Sequence, residues 1–94
     1  DLYRALDALP VKPGMRVLDA PCGNGFYGRR LAERLAPAGV LTLADASPEY
    51  LRLAGEALSA APAGVAVAVR EEDVYALSFP DAAFDFVWCA QSLI

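Results

Sequence analysis

The sequence predicts an α/β fold built on a parallel sheet. Two observations carry that prediction: short apolar runs alternate with amphipathic stretches of helical period, and the first three runs lead into Asp19, Asp45 and Asp73. Leu2, Tyr3, Leu6 and Leu9 fall at helical spacing before Pro10 and the Pro13-Gly14 turn, so residues 2 to 9 are expected to form a short amphipathic helix. A first strand follows at about 16 to 20. From Tyr27 to Ala36, Leu31, Ala32 and Leu35 make one stripe while Arg29, Arg30, Glu33 and Arg34 lie off it, which reads as a helix ending before Pro37 and Gly39. Val40-Leu41-Thr42-Leu43-Ala44 is too short for a helix and is bounded by Gly39 and Asp45, as suits a strand covered on both faces. Ser47, Pro48 and Glu49 supply a capping hydroxyl, a proline at the first helical position and a first-turn carboxylate, so a helix is expected from there to about Ala60. Pro62 and Gly64 break it. Val65 to Val69 alternates β-branched residues as a third strand, Tyr75 to Asp81 holds a turn or short helix, and Phe84 to Cys89 is the fourth strand.

Ninety-four residues allow one domain at most, and the apolar ending Ser92-Leu93-Ile94 reads as a domain cut short, with strand four left as an edge open to self-association. A net charge of −4 without a Lys/Arg cluster argues against a nucleic-acid partner, since phosphate binding needs several grouped cations. Cys22 and Cys89 stand without further cysteines and without any histidine, which supports neither a disulfide framework nor a metal site and fits a reducing, cytoplasmic setting. No apolar run approaches a membrane span, and the first residues lack the layout of a signal peptide.

The stretch from Arg16 to Gly28 carries the chemistry: an apolar strand ends in Asp19 and runs into the glycine-rich turn Gly23-Asn24-Gly25 before the next helix. Such a turn lets backbone approach a ligand closely and aims helix N–H groups at negative charge, which reads as a nucleotide-type cofactor site. In a parallel α/β sheet the ligand crevice lies at the carboxyl ends of the strands, where the winding reverses.

Val17-Leu18-Asp19-Ala20-Pro21-Cys22-Gly23-Asn24-Gly25 resembles the first motif of class I S-adenosylmethionine-dependent methyltransferases, and the resemblance extends to Asp45, to Glu72-Asp73-Val74 and to Leu77 through Val87. It covers nearly the whole chain and is nearest to small-molecule methyltransferases of the quinone-biosynthesis type. It implies a Rossmann-like fold, with strands one to four of a seven-stranded sheet present. It also implies S-adenosylmethionine as cofactor, held by Asp19, Ala20, Cys22, Gly23, Asn24, Gly25, Asp45, Ala46, Asp73, Val74 and Cys89. Asp19 and the turn would meet the methionine part and Asp45 the ribose hydroxyls. Asp73 and the Val74 N–H would read the adenine edge, and carbonyls around Cys89 and Ala90 would face the ammonium.

The family usually has Gly where this chain has Pro21, which offers no N–H, so Pro21 is assigned no hydrogen bond. The Asn/Asp-Pro-Pro-aromatic run of amino-methylating relatives is replaced by Ala90-Gln91-Ser92-Leu93, so a small-molecule acceptor is expected. No catalytic residue is assigned. Two alternatives stay open. Gly23 to Gly28 also satisfies G-x-G-x-x-G with Asp45 twenty residues after Gly25, the pattern of an NAD(P)-binding oxidoreductase, and the fold could serve as a non-catalytic interaction module. Cys22 reads as a small turn residue and Ser47 as a cap, while Tyr3 and Tyr27 either pack on their helices or reach the methionine carboxylate that the resemblance implies. Trp88 packs on the sheet or lines a substrate pocket.

Overall fold

A computed structural model describes residues 8–73, 75–80 and 82–89. Four strands, β1 (Arg16–Asp19), β2 (Val40–Asp45), β3 (Ala66–Glu71) and β4 (Phe86–Trp88), form one sheet in the order β3-β2-β1-β4, every pairing parallel. Two helices, α1 (Phe26–Leu35) and α2 (Pro48–Ala57), are the crossovers from β1 to β2 and from β2 to β3.

The period-2 alternation of the strands sorts their side chains onto two faces. Val17, Leu41, Leu43 and Trp88 join Leu31, Ala32 and Leu35 of α1 and Leu51 and Ala54 of α2 in the main core, so both helices cover the same face. Leu18, Ala20 and Ala44 point the other way and meet Phe79 and Phe84, whose rings pack edge to face at 5.0 Å. The chain therefore winds outward from β1 to β3 on one face and returns along the other to place β4 beside β1. That reversal puts the switch point between β1 and β4, with Asp19 at its lip.

Element boundaries differ from the sequence reading where local hydrogen bonding decides them. Residues 2–7 of the first expected helix lie outside the described residues, and Ala8 and Leu9 form a turn. The helix expected to reach Ala60 stops at Ala57: Ser59 donates both its N–H and its hydroxyl to the Glu56 carbonyl and Ala61 N–H bonds to Leu58, tightening the chain into turns. β3 runs two residues past Val69, because Arg70 and Glu71 continue the ladder opposite Ala44 and Asp45. β4 is shorter than expected. Phe84 is drawn to Phe79, and Asp85 turns to accept from the Arg16 N–H and guanidinium, leaving three residues to pair with Val17, Leu18 and Asp19.

Candidate functional site

The first three strands deliver their acidic residues to one end of the sheet. Asp19 closes β1 and is 1% exposed, Asp45 closes β2 and is 7% exposed, and Asp73 follows β3 by two residues and is exposed. β2 lies between β1 and β3, so these three positions span adjacent strand ends.

Asp45 organises the turns around it. Its Oδ2 accepts from the Gly23 N–H at 3.0 Å and its Oδ1 from the Ser47 N–H at 2.9 Å, so one carboxylate ties the glycine turn after β1 to the entry of α2. Cys22 adds a strap, its N–H bonding to the Ala44 carbonyl at 2.9 Å, and the Gly25 N–H bonds back to Cys22. Asn24 Oδ1 accepts from the Phe26 N–H at 3.1 Å and fixes the first residue of α1. Pro21, lacking an N–H, takes no part in this net as a donor. Ser47 is the side-chain cap of α2 as expected, accepting from Tyr50.

Asp19 is different in kind. Its Oδ2 is enclosed and has no hydrogen-bond partner among the described residues, and burial together with the nearby Asp45 charge pushes its pKa up to about 7. The Cys22 thiol is pushed up to about 12 by burial and by the charges of Asp19 and Asp45. It is therefore a thiol at neutral pH and no nucleophile. Cys89 is raised too, by burial and then by Asp19. Asp73 uses Oδ1 to accept from the Tyr75 N–H at 2.9 Å, shaping the loop after β3. Val74 and Ala90 lie outside the described residues, and Ala46 is exposed beside Asp45.

Two glycines read differently in three dimensions. Gly25 has φ +88°, and a Cβ there would stand 3.0 Å from the Ala54 backbone of α2. A Cβ on Gly28 would come within 2.9 Å of the Leu43 side chain and 3.4 Å of Asp19 Oδ2. Both positions are bare because helices and sheet approach closely there. Gly25 and Gly28 of the G-x-G-x-x-G pattern thus have a packing reason that owes nothing to a dinucleotide. Sequence reasoning left Trp88 as a sheet-packing or pocket-lining residue; its indole N–H is enclosed without a partner among the described residues, and Trp88 stands directly opposite Asp19 in the β1–β4 register. A cavity of about 120 Å³ lies elsewhere, between α1 and the far end of α2 near Arg29, Leu58 and Pro62.

A family model described as a methyltransferase domain matches residues 17–94. The chain belongs to the methyltransferase domain family. It is 36% identical over 83 residues to the ubiquinone/menaquinone biosynthesis C-methyltransferase of Bordetella avium, covering 88% of this chain and 32% of that protein. It is 38% identical over 90 residues to the 2-methyl-6-phytyl-1,4-hydroquinone methyltransferase of Synechocystis, covering 96% of this chain and 26% of that protein. Among solved structures, a SAM dependent methyltransferase from Aquifex aeolicus superposes with a TM-score of 0.80 at 26% identity, over 95% of this chain and 47% of that one. This methyltransferase domain therefore spans about a third of the length of the curated relatives it matches. Neither the oxidoreductase nor the non-catalytic alternative finds support in these matches.

Proposed function

We propose that this chain is the cofactor-binding part of an S-adenosylmethionine-dependent methyltransferase whose acceptor is a small molecule. The observation that carries the reading is the convergence of two buried carboxylates, Asp19 and Asp45, with the glycine turn at the switch point of the sheet. The residues suit the cofactor chemically. Asp45 accepts one backbone N–H on each oxygen, and a carboxylate oxygen has a further lone pair, so both oxygens can also take a ribose hydroxyl. The unpartnered Oδ2 of Asp19 is an acceptor suited to a cationic donor. Asp73 and Val74 are assigned the adenine edge, Ala20, Cys22 and Asn24 of the turn the methionine part, the Cys89 carbonyl its ammonium, and Ala46 a place on the cofactor beside Asp45. When bound, the cofactor supplies a methyl group on a sulfonium. The chain's task is then to align it and keep water away.

The acceptor class follows from the relatives, several of which are named for quinones or hydroquinones. Two unpaired cysteines agree with a reducing cytoplasm, and the described helices include none long and apolar enough to cross a membrane. Calorimetry with S-adenosylhomocysteine tests the reading. Saturable binding is expected, lost by about tenfold or more in Asp45→Ala, with no heat from reduced nicotinamide dinucleotide. Binding of the nicotinamide with none of S-adenosylhomocysteine would overturn it.

A further inference from the structure

Two enclosed polar atoms in neighbouring strands have no partner among the described residues: Oδ2 of Asp19 and Nε1 of Trp88. Asp19 and Trp88 are opposite one another in the register of β1 and β4, on strands that in any sheet lie about 4.8 Å apart. Their side chains leave the sheet on the α1 face. Gly28 stands over Asp19, and the Tyr27 ring meets the indole at an angle of 61° with centroids 5.8 Å apart. One of the two atoms is an acceptor and the other a donor. Folds seldom leave buried polar atoms unsatisfied, and packing alone gives the indole N–H no purpose that a phenyl ring would not serve equally. The third such atom, Nε of Arg34, belongs to a guanidinium already donating to the Leu9 carbonyl and lies at the other end of α1.

An α-amino acid carries the complementary pair on a single carbon, an ammonium that donates beside a carboxylate that accepts. We propose that Trp88 is a further recognition residue, its indole N–H donating to the carboxylate of the ligand's amino-acid end while Asp19 Oδ2 accepts from the ammonium. The proposal rests on the S-adenosylmethionine reading and adds to it a residue that glycine-turn and acidic-residue arguments pass over. Both atoms are enclosed, and the half-buried Tyr27 ring stands edge-on beside the indole.

Comparing two ligands on the full chain tests it: S-adenosylhomocysteine, which has the amino-acid end, and 5′-methylthioadenosine, which lacks it. Trp88 is the one tryptophan of the sequence, so its emission reports the site directly. The expected result is that S-adenosylhomocysteine shifts that emission and methylthioadenosine does not. Trp88→Phe should then weaken S-adenosylhomocysteine by about tenfold while changing methylthioadenosine by less than about twofold. Equal weakening of both ligands, or of neither, overturns the role of Trp88 and leaves the cofactor reading standing. Failure of the wild-type chain to bind either ligand overturns the cofactor reading and this inference with it. Thermal unfolding of Trp88→Phe, measured alongside, separates lost recognition from lost packing.

Discussion

The Asp19 carboxyl is buried and feels the charge of Asp45, and these two causes, burial first, bring its pKa to about 7. Unfolding returns it to the ordinary carboxylate value near 3.8, so between about pH 4 and pH 7 the folded chain holds a proton that the unfolded chain has released. Stability therefore falls as pH rises through that window and levels off above it. Asp19→Asn should remove this slope and raise the melting temperature at pH 8, with an upper bound of about 4 kcal/mol for three pKa units. Denaturation curves at pH 5 and pH 8 check it; a variant as pH-sensitive as wild type would assign the slope to another group. Asp45 contributes to stability through its hydrogen bonds. It satisfies two backbone donors from separate turns, so Asp45→Ala should cost about 1–3 kcal/mol of stability in addition to its effect on ligand affinity, read from urea midpoints. At this scale the sequence was informative about types and poor about partners. Asp19, Asp45 and Asp73 were visible as strand-end acids, but that Asp45 spends its oxygens on Gly23 and Ser47, and that Asp19 is left orphaned, depends on how two turns meet in space.

Among the elements, α1 shows how a glycine pattern and an apolar stripe set one another. Leu31, Ala32 and Leu35 are fully buried against the sheet, and Gly28, without a Cβ, leaves room for the Leu43 side chain where α1 passes over it. Gly28→Ala should overpack this contact and cost about 1–3 kcal/mol, whereas Leu31→Ala should cost about 2–5 kcal/mol through the cavity it leaves. Chemical denaturation of both variants distinguishes the two mechanisms. Adding Leu43→Ala should restore part of the loss in Gly28→Ala and deepen it in Leu31→Ala. The helices were legible from their stripes and from the Ser47-Pro48-Glu49 start, because those signals are local. The ends of α2, β3 and β4 were not, since a hydroxyl on the Glu56 carbonyl, a ladder continued by Arg70 and Glu71, and the pull of Arg16 on Asp85 decide them. The last of these pairs is half exposed, so its contribution is directional and energetically small.

For the molecule as a whole, the strand order leaves β3 and β4 as the two edges among the described residues, and they are unequally guarded. β3 ends in exposed Arg70 and Glu71, with Glu72 bonded to Ser78 and Arg70 alongside. β4 carries no charge within Phe86–Trp88, and Val87 is 46% exposed beside unpaired backbone. Charged edges resist strand addition and bare apolar edges invite it. β4 is therefore the edge through which the chain is expected to associate with itself. Sedimentation velocity across a concentration series should show a reversible, concentration-dependent dimer. Val87→Lys should weaken it by about tenfold or more, and Val69→Lys on the opposite edge should leave it unchanged. A concentration-independent monomer, or equal sensitivity at the two edges, would mean that β4 is protected by something other than pairing.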